Sequence, residues 1–186
     1  LYKNAPADQA FLHILLFLTI IGAYMNTSMF DPTRDKYYAM ILLRMNAREY
    51  TLVNYGYSIL KVIIGFLPFS ILFGMMRDVP LWFCILIPFS VAGLKLAVAA
   101  YSLWDYERSG FVYNENKIRK HLWIFAAVLL AFAYVLPAAG IVLPASVSMA
   151  VMLLFIPLGI LSIRKIVSFG YYREVNQELL SQVTNQ

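Results

Sequence analysis

Apolar stretches near the length of roughly 20 residues that a helix needs to cross a bilayer core alternate with short polar segments along this chain. Five such segments can be read, and the fourth is short. They run from about Phe11 to Met29, Tyr57 to Met76, Leu81 to Leu103, His121 to Leu136 and Ser146 to Ser168. The pattern predicts an all-α, polytopic membrane helical bundle with about five membrane helices.

A charged, tyrosine-rich stretch from Phe30 to Lys61 connects the first two apolar segments, and we call it the elbow. Its Asp31-Pro32 pair is typical of a helix start, which predicts a first helix to about Arg44. That helix is too charged to cross a bilayer but has an apolar face, so we expect it at a membrane surface or against a partner. The face is formed by Tyr38, Ile41, Leu42 and Met45.

The second half of the elbow contains a signal for another helix start. Asn46 is followed three residues later by Glu49, which resembles a capping box and predicts a helix opening at Ala47. No breaker follows, so this helix is expected to continue into the second apolar segment as one rigid lever.

The uncharged segment Leu136–Pro144 contains two prolines and a glycine between the last two apolar segments. Broken backbone at membrane depth is tolerated only where protein or a water-filled cavity shelters it. The segment therefore forms either an outer re-entrant hairpin or an ordinary tight turn, and the residues leave both readings open.

The distribution of Lys and Arg predicts the orientation of the chain, since cytoplasmic loops carry the excess. Basic residues gather in the elbow, in the linker Trp104–Lys120 and near the C-terminus, whereas the opposite side holds only Lys3 and Arg77. We expect a multi-pass protein of the plasma membrane with a cytoplasmic elbow and C-terminus. Residues 1–170 form one transmembrane domain, and the polar tail 171–186 forms a short cytoplasmic helix or is disordered.

Composition agrees with this class and excludes others. Hydrophobic residues make up 61% of the 186-residue chain and charged residues only 13%, which is outside the range of soluble domains. The net charge is +5, but the basic residues lie between apolar segments and form no basic face on a soluble fold. No nucleic-acid partner is therefore expected. Cys84 is the single cysteine, which rules out a disulfide framework and a thiolate metal site.

Motifs for catalysis are missing from the sequence. No Walker A loop is present, no cluster of carboxylates and histidines has metal-ligand spacing, and no membrane-segment serine has a positioned histidine to activate it. We therefore predict no catalytic residue, no metal site and no cofactor bound by this chain. A membrane-embedded lipid-modifying enzyme stays a third reading, although the paired acidic motifs it needs are absent.

Two lysines lie within apolar segments, where an unpaired cation is costly. Lys61 is about one turn inside the second segment and can extend its ammonium to the interface. Lys95 lies deeper in the third segment, without an acidic partner in the helices. Both are candidates for a substrate or lipid path, and extension to the interface is the alternative for each.

The sequence LLRMNAREYTLVNYGYSILK, Leu42 to Lys61, resembles a segment of type-2 ATP-binding cassette (ABC) exporter permeases. In that family a coupling helix precedes an Arg-Glu-Tyr-like helix start, and a Lys follows one to three turns later. Where the family has Pro and a small residue before the Arg, this chain has Asn46 and Ala47. The order of helices is also similar, and the family's six helices imply one more before Leu1.

The resemblance implies the transmembrane subunit of an ATP-driven exporter without enzymatic activity of its own. A separate ABC ATPase, holding ATP and Mg, would bind the coupling elbow at Arg44, Asn46, Arg48, Glu49 and Tyr50. Membrane lipids and a second permease domain, in a homo- or hetero-dimer, are the other implied partners. Arg48→Glu is expected to uncouple ATP hydrolysis from transport. The alternative is a non-transporting scaffold or assembly subunit that binds a partner through the same elbow, and the substrate is not encoded in any motif.

Overall fold

The computed structural model describes residues 5–26, 29–30, 36, 38–110 and 120–184. Within these ranges every regular element is helical, which confirms the all-α prediction. The elements are α1 (Ala7–Met25), a π-helical turn (Tyr38–Leu42), α2 (Ala47–Met75), α3 (Leu81–Ser109), α4 (Lys120–Ala138), α5 (Ala145–Ser168) and α6 (Tyr172–Thr184).

Four of these helices, α1, α2, α3 and α5, are long and apolar enough to cross a membrane. The apolar part of α4, Leu122–Ala138, is shorter, as the sequence indicated. Their number and composition are those of a multi-pass membrane protein with a helical bundle fold.

Helix α3 lies at the centre of the bundle. In the most apolar part of α3, 72% of the residues are buried, compared with 11% of the residues in the corresponding part of α2 and 17% in that of α5. It packs against α5, α2 and α1, whereas α4 packs mainly against α1. The outer faces of α2 and α5 consequently expose large apolar side chains, such as Ile64 and Leu161, in the manner of lipid-facing surfaces.

A glycine pair allows α3 and α5 to pack closely. A methyl group added to Gly93 would overlap the main-chain carbonyl of Phe155, and one added to Gly159 would overlap Gly93 itself. Small residues permit such backbone approach between membrane helices, where dispersion contacts replace the hydrophobic driving force. The sequence shows both glycines but not that they face each other.

The bundle has two distinct ends. At the elbow end, the start of α2, the ends of α3 and α5, and α6 share one apolar cluster that includes Tyr55, Leu103, Phe169 and Tyr172. At the turn end, the α2–α3 and α4–α5 connections and α1 share a second cluster that includes Leu12, Val79 and Leu143. The predicted alternation of five segments is consistent with this arrangement.

The first half of the elbow differs from the predicted helix of about Pro32 to Arg44. Residues 31–35 and 37 lie outside the described part, and the remainder is a π-helical turn that ends at Leu42. The Leu43 amide donates to the Tyr38 carbonyl at 2.9 Å, and Arg44 then adopts a left-handed φ of 53°. The helix therefore ends two residues early, and four non-helical residues precede α2.

The α4–α5 connection is an ordinary tight turn, which is one of the two alternatives that the sequence left open. Helix α4 ends at Ala138, and Gly140 takes a left-handed φ of 81° while the Ile141 amide donates to the Leu136 carbonyl at 2.9 Å. This is the usual glycine-based end of a helix, which satisfies its last carbonyl groups. Six residues suffice to reverse the chain before α5 begins, so no re-entrant hairpin forms.

The polar tail forms a helix, α6, and the structure extends α3 six residues beyond the predicted Leu103. Four apolar residues of α6 recur with helical spacing and are buried against the bundle: Tyr172, Val175, Leu179 and Leu180. The tail is therefore the helix of the two predicted alternatives, and this spacing is the sequence signal that distinguishes it from a disordered segment.

Candidate functional site

Asn46 caps the N-terminus of α2, as the sequence predicted. Its side-chain oxygen accepts hydrogen bonds from the amides of Arg48 at 3.0 Å and Glu49 at 3.4 Å. These are two of the four amides that have no partner inside a helix. The cap fixes where the elbow ends and the lever helix begins, while the Glu49 side chain stays exposed.

Arg44 forms the corner of the elbow. Its left-handed backbone costs a non-glycine residue about 1–2 kcal/mol, and such strain is concentrated at functional positions. Within the described residues its exposed guanidinium makes no hydrogen bond or ion pair. The Arg44 side chain is therefore available to a ligand or partner.

Apolar side chains flank this corner and are exposed. Leu42, Leu43 and Met45 expose 59%, 72% and 49% of their surface. The sequence predicted an apolar face that includes Leu42 and Met45, and the side chain of Ile41 lies outside the described part. An apolar surface beside a basic residue at the end of a membrane bundle is suited to a protein partner or to the membrane interface.

Arg48 is held within the molecule. Its Nη2 donates a 2.8 Å hydrogen bond to the carbonyl of Val167, in the last turn of α5. The last carbonyls of a helix have no partner within it, and a cation there also interacts favourably with the helix dipole. Arg48 is therefore both a surface residue and a link between two membrane helices.

Helix α6 packs beside the start of α2. Asn176 donates from its side-chain amide to the Thr51 hydroxyl at 3.1 Å, and the Tyr172 hydroxyl donates to the Ile166 carbonyl at 2.7 Å. Burial raises the pKa of Tyr172 well above its ordinary value, an effect that the neighbouring Arg48 opposes in part. Tyr50, the remaining predicted elbow residue, is half-buried.

A cavity of about 740 Å³ lies between the elbow and α6. Arg44, Asn46 and Arg48 line it from the elbow, and Arg173 and Asn176 line it from α6. The structure thus brings three of the five predicted elbow residues to one cavity, whereas Glu49 and Tyr50 do not line it.

Lys95 is buried and lies against the end of α1. Its ammonium donates to the carbonyl of Asn26, the residue that ends α1, at 2.5 Å. The main-chain carbonyl of Lys95 accepts a 3.2 Å hydrogen bond from the Tyr55 hydroxyl. A helix end inside an apolar bundle needs such a donor, which gives Lys95 a structural reason to be present. Its expected place on a substrate or lipid path stays a prediction.

Lys61 has an exposed side chain on α2. Its ammonium lies 4.7 Å from the centre of the Tyr57 ring, one turn nearer the elbow. A cation over an aromatic ring is stabilised by the charge distribution of the ring. An apolar groove of about 560 Å³ runs between α1, α3 and α5, and neither Lys61 nor Lys95 lines it.

His13 makes a polar connection that the sequence gave no reason to expect. The Leu143 amide donates to its Nδ1 at 3.2 Å, so Nε2 carries the proton and donates to the Phe132 carbonyl at 2.9 Å. A backbone amide can only donate, which fixes this tautomer. His13 thereby ties α1 to α4 and to the turn before α5.

No group of three or more His, Cys, Asp or Glu side chains that could hold a metal ion is found in the described ranges. The polar side chains that line the elbow cavity carry guanidinium, amide and hydroxyl donors. Such donors bind anions and acidic surfaces.

No protein-family model, no curated protein and no solved structure matches this chain. The fold and composition define it as a multi-pass helical membrane protein.

Proposed function

We propose that the chain is the transmembrane subunit of an ATP-driven exporter of the type-2 ABC class, whose elbow docks on a separate ATPase in the cytoplasm at the plasma membrane. The observation that carries the proposal is the elbow corner. An exposed, strained Arg44 stands among exposed Leu42, Leu43 and Met45, at the start of a 29-residue helix that enters the membrane without a break.

The connections of this corner support a role in transmitting force. Helix α2 is capped at Asn46 and linked to the end of α5 through Arg48, so displacement of the elbow acts on two membrane helices. Only 11% of the residues in the most apolar part of α2 are buried, because α2 packs on one side against α3 and exposes the rest of its surface. Small sliding movements of packed helices are one of the known forms of switching transition.

Photocrosslinking tests whether the elbow contacts an ATPase. The chain is co-expressed with the ABC ATPase encoded nearest to its gene, with a photocrosslinking amino acid in place of Glu49 or of Arg77, which lies at the turn end. We expect a crosslink from position 49 and none from position 77. Absence of crosslinking at position 49, or equal yields at both positions, would contradict the proposal.

ATPase binding and ATP hydrolysis are then measured in vesicles that contain the complex. Arg44→Glu reverses the charge at the corner without breaking a hydrogen bond in the described structure, so we expect it to lower ATPase binding about tenfold while the bundle stays folded. Arg108→Glu, at the same end but outside the elbow, is the matched control.

The alternative, a scaffold that transports nothing, predicts a different result from the same vesicles. A partner would bind the elbow, but its ATP hydrolysis would be unaffected by the chain. Arg48→Glu is a poor variant for either test, because it also removes the hydrogen bond to Val167.

A further inference from the structure

Three arginine residues from separate segments line the cavity at the elbow end. Arg44 follows the π-helical turn, Arg48 is in the first turn of α2, and Arg173 is in the first turn of α6. No acidic residue is among the described residues that line the cavity. Positive charges that face one cavity repel one another, and an anion bound between them reduces that repulsion.

These groups retain unused hydrogen-bond donors. Within the described residues, the guanidiniums of Arg44 and Arg173 have no hydrogen-bond partner, and Arg48 donates only to Val167. Each guanidinium carries five N–H donors in a planar arrangement that matches phosphate oxygens. The N-terminus of α2 is not the anion-binding element, because Asn46 already binds its amides.

The length of α2 indicates where the cavity lies relative to the bilayer. Arg48 and Arg77 are separated by the helix and one turn, which spans about 43 Å at 1.5 Å per residue. A bilayer with its headgroups is about 40–45 Å thick. Arg48 precedes the apolar segment that begins at about Tyr57, so the cavity lies outside the hydrocarbon core, on the side where lipid headgroups and water are accessible.

The remaining lining suits an amphiphilic ligand. Met40, Met45 and Leu180 form apolar walls beside the arginines. We propose that this cavity is a binding site for a phosphate-bearing anion, held by Arg44, Arg48 and Arg173. A phospholipid headgroup and a soluble phosphate ester share this chemistry, and the apolar walls favour the lipid.

The lipid arm of the test uses the purified full chain without any ATPase. The protein is exchanged into nanodiscs of phosphatidylcholine with or without phosphatidic acid, and native mass spectrometry counts the lipids that it retains. We expect selective retention of phosphatidic acid, and about tenfold or greater loss of affinity in the double variant Arg44→Gln/Arg173→Gln.

The control removes the same charge from the same end. Arg108→Gln/Arg164→Gln changes two basic residues that do not line the cavity, and we expect it to retain the lipid as the wild type does. A second variant, Arg44→Lys/Arg173→Lys, keeps the charge but loses the planar donors, so intermediate affinity is expected. Equal retention in all four proteins would rule out a lipid as the ligand.

The soluble arm separates the second source of phosphate. Inorganic phosphate is titrated into the detergent-solubilised chain, and thermal unfolding is followed with chloride at equal ionic strength as reference. A saturable rise in Tm that the Arg44→Gln/Arg173→Gln variant lacks, without selective lipid retention, assigns a soluble phosphate. No rise in Tm together with no lipid selectivity would refute the site. Neither arm depends on an ATPase, so failure here leaves the proposed function untouched.

Discussion

The guanidinium of Arg48 binds the main-chain carbonyl of Val167 at 2.8 Å, although the two residues are 119 positions apart. The contact joins the first turn of α2 to the last turn of α5, and both helices pack on the central α3. Beside it, Lys165 of α5 forms an ion pair with Glu107 of α3. Side chains from three membrane helices are thus connected at the elbow end.

Removing the Arg48 guanidinium should destabilise the bundle. Arg48→Gln leaves the Val167 carbonyl without its charged donor, and because the site is exposed we expect a loss of about 1 kcal/mol in the free energy of unfolding. Unfolding in detergent, followed by tyrosine and tryptophan fluorescence, measures the change. Arg44→Gln, which breaks no hydrogen bond in the described structure, should leave stability within about 0.5 kcal/mol of wild type. Equal losses would contradict the role assigned to Arg48.

The glycine contact between α3 and α5 should tolerate no side chain. Gly93→Ala or Gly159→Ala forces the helices apart, and overpacking of this kind costs about 1–3 kcal/mol. The matched control is Gly65→Ala on α2, where an added methyl group meets nothing and alanine favours the helix by about 0.5–1 kcal/mol. Thermal size-exclusion chromatography in detergent compares the three. A Gly93→Ala protein as stable as Gly65→Ala would show that the helices do not approach in this way.

Helix existence and order could be predicted from the sequence, because length and hydropathy are local properties of the chain. The cap at Asn46 and the start of α2 were also predictable, since both depend on residues within three positions of each other. The early end of the first elbow helix was not predictable, because it results from the π-helical turn and the left-handed Arg44.

The connections between distant residues could not be predicted from one sequence. His13 and Leu143, Arg48 and Val167, and Lys95 and Asn26 are pairs that only packing brings together. Lys95 illustrates the reason, because one of its partners is the main-chain carbonyl of Asn26 at a helix end. Backbone carbonyls carry no sequence signal, so such partners are found only in the structure.

His13 should stabilise the turn end. His13→Leu leaves the Leu143 amide without its acceptor and removes the bond to the Phe132 carbonyl, at an expected cost of about 1–3 kcal/mol. Hydrogen–deuterium exchange should become faster at the Leu143 amide. Thr19→Val on the same helix removes a hydroxyl that bonds only the Leu15 carbonyl of its own turn, so it should change neither quantity appreciably. Unchanged exchange at Leu143 in His13→Leu would refute the connection.

Stability should fall at alkaline pH because of Tyr172. Its pKa is raised by burial from an ordinary value of 10.0, so the folded protein keeps the phenol neutral where the unfolded chain ionises it. The contribution of the neutral Tyr172 phenol to the free energy of unfolding is therefore complete below about pH 10 and decreases as the pH rises above that value. Tyr172→Phe should lower stability by about 1 kcal/mol at neutral pH, through loss of the bond to Ile166, but should show a shallower alkaline decline. Tyr171→Phe, whose ring is half exposed, should keep the wild-type decline.

The two lysines of the apolar segments should differ in their effect on stability. Lys95→Met removes a buried donor from the Asn26 carbonyl, so we expect a loss of about 1–3 kcal/mol and faster hydrogen exchange at the last turn of α1. Lys61→Met removes an exposed ammonium over Tyr57 and should change stability by about 0.5 kcal/mol or less. Both variants remove one positive charge and add a similar apolar chain, so the comparison isolates burial. Equal stability of the two proteins would mean that Lys95 does not support the end of α1.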